Sequence, residues 1–491
     1  MKTLINIISI VLTVASFVYA ADQTGAIDQN LIDRYDKAFQ DKDGADILIN
    51  AVANNAVNNL TLNRDLFANR DKFFNLKLKS YGITNQKSSG RCWLFATLNV
   101  FNQQVAKKIN HKNFELSQPY LTFWDKMEKA NMFLEEVIKY IDKPLDSREM
   151  EYILRNPFGD GGFWTYAVNL IEKYGAMPIT AMPETKQSTS TGTVNNLANM
   201  KLKKFAEELR ALFTDGQKIT DLRKRKEAML DEIYQLMAYN YGRPPKEFVF
   251  RYEDKSDDKD KNNEDDEAES DEDSTATENP EPVKYITKTY TPRSFYDEFI
   301  AGELLKYVTL INYPTQPYNQ PYRWEWGNMP EKPHIIGLNL PIEKLKAYTI
   351  RMLADSMPVC FACDVGYGNN TDSGIFAADL YQYNRLFDLD FKMTKAERLN
   401  YRGGTSNHMM VILGVDTTDD GLPVKWLVEN SWGDARGDKG FWYMYDDWFS
   451  EYVYEVYLDP KYLSAEDRES SKKQPRDMPL WDYYGEGMLS R

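Results

Sequence analysis

Polar residues dominate positions 22–80, where only short helical patterns occur, and this stretch reads as an N-terminal arm. Sustained periodicity begins after Gly90. Leu94, Leu98, Phe101 and Val105 recur at helical spacing, which predicts a helix to about Asn110 with Ser88 or Ser89 as N-cap. A second amphipathic helix is predicted from Trp164 to Tyr174, closed by Gly175. A charge-rich helical region follows from about Asn195 to Tyr241, broken near Asp215-Gly216. The period then switches to two. Phe248, Phe250 and Tyr252 alternate with polar neighbours, as do positions from Val283 to Tyr290, so two strands are expected there. From Ile335 onward the chain is strand-rich. Pro358–Val365, His408–Val415, Lys425–Glu429 and Gly440–Tyr445 are the strand candidates.

Composition and charge add three things. The chain has 491 residues, 42% of them hydrophobic and 27% charged, as in ordinary globular proteins. Its net charge of −14 is uneven: Glu253 to Pro282 holds fifteen Asp/Glu against three Lys, leaving the remainder near −2. That run lies between the two predicted strands and reads as a solvated loop at a hairpin tip. It lacks the glycine that a calcium-binding EF-hand loop requires. No basic stripe suggests a nucleic-acid partner. At the N-terminus, Lys2 precedes an apolar run from Leu4 to Tyr19, ending in Val18-Tyr19-Ala20. The run is short for a membrane span and has the form of a secretory signal cut after Ala20, with no membrane anchor left after cleavage. The expected location is periplasmic or secreted.

The three cysteines, Cys92, Cys360 and Cys363, make no disulfide framework. Cys360-Phe361-Ala362-Cys363 reads as two small buried residues on a strand, with no metal site. Cys92 differs. It stands at the predicted helix start within Gln86-Lys87-Ser88-Ser89-Gly90-Arg91-Cys92-Trp93. A thiol attacks as thiolate, and a helix N-terminus favours that charge. Gln86, six residues upstream, is placed to reach back with its amide and form an oxyanion hole with the Cys92 N–H. Trp93 would wall the nucleophile. His408 opens an apolar run, and Val428-Glu429-Asn430-Ser431-Trp432-Gly433 follows. Asn430 can accept the Nδ1 hydrogen of His408 and aim Nε2 at the thiol, while Trp432 covers that bond. His111 and His334 lie in contexts that suggest no such role.

Gln-x5-Cys-Trp, a later His, and Asn-Ser-Trp-Gly in that order resemble papain-like cysteine peptidases, and most closely the bleomycin hydrolase/aminopeptidase C branch. Asp160-Gly161-Gly162-Phe163-Trp164, Thr291-Pro292-Arg293-Ser294-Phe295-Tyr296 and Trp448-Phe449-Ser450-Glu451 resemble that branch too. His408 lies 316 residues after Cys92, against roughly 130–150 in plain papains. Ser89 and Arg91 stand where papain itself has a cysteine and a small residue. The resemblance covers about residues 30–491. It implies an α+β, two-lobe papain-like core in residues 21–491 with a helical insertion and a C-terminal arm. Residues 81–190 would form the helical lobe and 195–310 the insertion, with its acidic loop at 253–282. Residues 330–460 would form the β lobe and 463–491 the arm.

The resemblance further implies removal of N-terminal residues from peptides with a free N-terminus, no cofactor, and a self-compartmentalising homohexamer. In this family the arm lies in the cleft, and a chain-end carboxylate, here that of Arg491, would hold the substrate's free amine. The family is largely cytoplasmic, an alternative to the location that the apolar N-terminus suggests. A papain-like endopeptidase and a non-catalytic scaffold on the same fold are the competing readings.

Overall fold

The computed structural model describes residues 25–68, 71–109, 111–155, 157–254, 284–325, 327–332 and 334–489. The apolar N-terminal run, nearly all of the acidic run and Arg491 lie outside them. The chain divides into two compact units, one joining the N-terminal part through Leu62 to Tyr381–Leu389, the other holding the remainder. In the first unit, helices α1 (Gln29–Gln40), α2 (Ala45–Asn54) and α3 (Val57–Thr61) are joined by a short helix at Tyr383–Phe387. The side chain of Asp28 caps α1 by accepting from the Leu31 N–H. Gln382 N–H donates to the Thr61 carbonyl, and the Tyr383 hydroxyl donates to Asn58.

In the second unit, after a four-residue helix at Asp65–Ala68 and a two-residue strand at Leu76–Lys77, comes α4 (Cys92–Ile109), an 18-residue helix buried along most of its length. It starts two residues later than the sequence suggests. Ser89 does not cap it: the hydroxyl donates to the Gln86 carbonyl and accepts from Arg91 Nε. Helix α5 (Gln118–Lys139) is capped by Ser117, and α6 (Trp164–Tyr174) stops at Gly175, whose φ of 75° is left-handed. The long helical region resolves into α7 (Gly192–Thr214) and α8 (Ile219–Tyr241), with the predicted break at Asp215-Gly216. Strands β1 (Phe248–Glu253) and β2 (Tyr285–Tyr290) pair antiparallel as the predicted hairpin. Helix α9 (Pro292–Phe299) follows, held by a capping box between Thr291 and Ser294.

The main sheet is built from β3 (Val308–Ile311), β4 (Gln320–Trp324), β5 (Ile335–Asn339), β6 (Val359–Cys363), β7 (His408–Thr417), β8 (Pro423–Glu429), β9 (Phe441–Tyr445), β10 (Val453–Leu458) and β11 (Arg476–Met478). Its order is β11-β4-β5-β3-β10-β6-β7-β8-β9, continuing to the short strands Ile375–Phe376 and Asn369–Asn370. Helix α10 (Ile342–Ala354) packs on the face that carries Phe361, Met410, Ile412 and Trp442. Alternate residues of the same strands, Ala362, Met409, Val411 and Leu413, join the helical core with Leu94 and Leu98. Both faces are therefore covered, which explains why these strands read as unbroken apolar runs. Cys360 and Cys363 belong to opposite cores. Burial, with nearby Cys92 adding, pushes the Cys360 thiol well above its ordinary value.

Trp164 ties the helices to the sheet. Its ring stacks on Phe101, Tyr307 and Tyr457 at centroid separations of 5.9, 5.4 and 5.7 Å. Trp164→Ala is expected to cost about 3–5 kcal/mol, read as a clear fall in the thermal midpoint by calorimetry. A change within error would show that this stack contributes little.

Candidate active site

Cys92 is the first residue of α4, and its side chain is 2% exposed. The first turn of a helix has N–H groups without intrahelical acceptors, so charge at this end is favoured when negative. The loop before it is fixed from three sides. Gly90 N–H donates to Asp160 Oδ2 at 2.8 Å. Arg91 is buried and donates through Nη2 to both oxygens of Glu184, at 3.0 and 3.2 Å. Trp93 Nε1 donates to the Asp160 carbonyl at 2.6 Å. Beneath that indole ring a Cβ on Gly162 would lie 2.7 Å from ring carbon, so no larger residue fits there. Ser89 and Arg91 thus form one unit with Glu184 that holds the loop.

Asp160 is the acid on which this loop depends. Besides Gly90 it accepts from Lys126 Nζ at 2.7 Å, Asn195 Nδ2 at 2.8 Å and the Thr191 hydroxyl. Burial pushes its carboxyl up, but Lys126 and the hydroxyl and amide donors outweigh that and hold it well below the ordinary carboxylate range. The Asp160-Gly161-Gly162 run is visible in the sequence. Its role as anchor is not, because Lys126 comes from α5 and Thr191 and Asn195 from the start of α7, both distant in the chain.

His408 opens β7, 1% exposed, at the register position opposite Cys363 of β6. Helix α4 packs against β7. His408 Nε2 lies 2.9 Å from Asn430 Oδ1. This corrects the expected nitrogen assignment: Asn430 engages Nε2 and not Nδ1. The imidazole enters from the strand start in an orientation that spacing alone does not specify. Asn430 Oδ1 also accepts from Ser431 N–H at 2.8 Å. The Trp432 ring lies over His408, centroids 4.8 Å apart, and is itself braced edge-on by Trp442.

Gln86 joins the two sides. Its N–H donates to the Ser431 carbonyl at 2.8 Å, and its Oε1 accepts from the Ser431 hydroxyl at 2.7 Å. Its Nε2 donates to the Ser89 carbonyl at 2.7 Å, leaving a second amide hydrogen for another acceptor. Asn85 bridges Trp432 in the same strip of antiparallel pairing. The structure therefore brings Cys92, Gln86, His408, Asn430 and Trp432 together.

Glu429, beside Asn430, is fully buried. It accepts from Ser80 Oγ at 2.7 Å and Asn99 Nδ2 at 3.0 Å, and burial pushes its carboxyl up to about 7 despite those donors. It lines a polar recess with Asn99, Asn102 and Gln103.

The C-terminal arm reaches the same region. Asp482 accepts from Trp324 Nε1 at 3.1 Å and the Tyr313 hydroxyl at 3.1 Å. Tyr484 is buried on Tyr313 and Trp324, and its hydroxyl donates to the Tyr454 carbonyl at 2.8 Å. The Thr405 hydroxyl donates to the Tyr484 carbonyl. Gly487 lies so close to the backbone at Ser406, two residues before His408, that a Cβ would sit 2.5 Å from its carbonyl oxygen.

The sequence profile of the Peptidase C1-like family matches residues 26–269 and 279–485. The chain belongs to that family. Aminopeptidase C of Lactobacillus delbrueckii subsp. lactis is 36% identical over 445 residues, covering 89% of this chain and 93% of the relative. Aminopeptidase E of Lactobacillus helveticus is 38% identical, covering 84% and 88%. The crystal structure of PepW from Lactobacillus rhamnosis HN001 superposes with a TM-score of 0.86 at 37% identity, covering 94% of this chain and 99% of that one. The fold is accordingly the α+β papain-like one.

Two predictions follow from the local geometry. Asn430→Ala removes the acceptor that orients the imidazole, so kcat should fall about 10²-fold with little change in KM; steady-state kinetics reads this, and an unchanged kcat would remove Asn430 from any role. For Glu429 the folded value lies above the unfolded one. Its contribution is present below the ordinary carboxylate pKa and lost as pH rises to about 7. Melting scans from pH 5 to 8 should show a decline that Glu429→Gln reduces; an identical slope would count against the raised value.

Proposed function

We propose that this chain is a cysteine aminopeptidase. Cys92 is the nucleophile, His408 its base and then the acid that protonates the leaving amine, and Asn430 the residue that orients His408. The carrying observation is the site itself: Cys92 at a helix start and the His408–Asn430 pair at a strand start, joined through Gln86 and Ser431. Thiolate attack on the scissile carbonyl gives an oxyanion that Gln86 Nε2 and the Cys92 N–H stabilise. Collapse expels the amine, which takes its proton from His408 Nδ1. Water then hydrolyses the thioester, with His408 accepting its proton. None of these steps calls on a metal or organic cofactor.

The arm supports exopeptidase over endopeptidase action. From Leu480 to Gly487 it is anchored by buried Tyr484 and pressed against Ser406, which leaves less length of cleft for substrate. The carboxylate of Arg491 as the amine holder is part of this proposal, as are a homohexamer, peptide substrates with a free N-terminus, and export directed by residues 1–20. Relatives named for aminopeptidase activity favour the same reading.

Leucine amide and its N-acetylated form provide the test. The enzyme is expected to release leucine from the free-amine form at least tenfold faster, and preference for the blocked form would overturn the proposal. Because Tyr484 is a core residue, the arm is best shortened after Gly485. That chain is expected to gain cleavage of N-blocked peptides, and no gain would remove the arm from specificity.

A further inference from the structure

A recess open to solvent lies beside the Gly161 backbone. Gly161 precedes Gly162, on which the Trp93 ring rests, so the recess borders the wall of the nucleophile. Leu480 and Glu486 of the C-terminal arm close another side. It thus lies between the loop that carries Gly161 and the C-terminal arm. Met132, Phe133, Phe158 and Leu480 make much of its wall apolar, and Glu136 of α5 contributes a carboxylate.

The charges around Glu136 are committed elsewhere. Lys129 Nζ contacts Asp125 at 2.7 Å and donates to the Gly161 carbonyl at 2.5 Å. Arg155 pairs with Glu486 at 3.4 Å, and Lys139 with Glu325 at 3.3 Å. Among the described residues, no side chain forms an ion pair or hydrogen bond with the Glu136 carboxylate. Burial pushes that carboxyl up to about 7, with Lys139 opposing and Glu325 adding. An apolar occupant would leave this acid desolvated without compensation. An ammonium alone would leave the apolar wall uncovered. A linear aliphatic stem ending in a cation satisfies both.

We propose that this recess receives the basic side chain of a peptide's N-terminal residue, with Glu136 as its counter-charge. The inference rests on the aminopeptidase reading for the identity of that residue. The recess thereby becomes a specificity site, and Glu136 a binding residue that takes no part in bond making.

Lysine amide and norleucine amide share the same aliphatic stem and differ in the terminal cation. Their binding to Cys92→Ala protein is measured by calorimetry, which needs no turnover. Lysine amide is expected to bind about tenfold more tightly, and Glu136→Gln in the same background should bring the ratio close to one. Equal affinities with Glu136 present would overturn the proposal. So would a preference that survives Glu136→Gln. Equal loss for both amides would instead assign Glu136 to the α-ammonium and overturn it too. Turnover of both amides by the unsubstituted enzyme is measured in parallel. Selective binding without any turnover would sink the aminopeptidase reading while leaving the recess a site for basic side chains.

Discussion

The pairing of Gln86 with Ser431 is the constraint on which the site depends. One element precedes the helix that carries Cys92; the other follows the strand that ends at Glu429. Two hydrogen bonds, backbone to backbone and side chain to side chain, join segments 345 residues apart in the chain. The helix start carries Cys92 and the strand start carries His408, so their mutual placement is only as good as this joint. Each bond contributes about 1 kcal/mol to stability. Their importance is geometric: they set where the oxyanion donor, the thiol and the imidazole lie with respect to one another.

Behind the joint, the loop before Cys92 is held by buried charge. Asp160 with Lys126, and Arg91 with Glu184, take ions out of water, and such pairs seldom add net stability over an apolar alternative. What they supply here is direction. Asp160 accepts from a backbone N–H, a hydroxyl, an amide and an ammonium, and these bonds tie together the loop at Gly90, α5 and the start of α7. An apolar core at the same place would pack but would not orient Gly90 and thereby the start of the helix.

Much of this was legible from residue pattern. Helix α6 and its glycine stop, the break between α7 and α8, and the β1–β2 hairpin follow from periodicity and turn residues, which are local. That Gln86, Cys92, His408 and Asn430 lie near one another is suggested by their order in the chain, and the structure links Gln86 to Ser431 and His408 to Asn430. The ring nitrogen that meets Asn430 was not legible, since it depends on the direction from which the imidazole leaves β7. The helix start was misplaced because Ser89 spends its hydroxyl on Gln86 and Arg91. Nothing near Glu184 or Glu136 in the sequence marks them, as their partners and surroundings are assembled only by the fold.

The arm shows how a shared catalytic core is given a particular use. Cys92, His408 and Asn430 would serve an open cleft equally well; chemistry at the carbonyl does not distinguish a chain end from a chain interior. Distinction has to come from what fills the cleft beyond the reacting residue. Here Asp482 and Tyr484 secure the arm to Trp324, Tyr313 and Tyr454, and Gly487 permits contact with the backbone just before His408. An aromatic anchor of that kind ties the arm to the sheet that it rests on. On the proposed reading, space along the cleft is then limited by the fold itself, and the recess at Glu136 would be what remains for the substrate's own side chain.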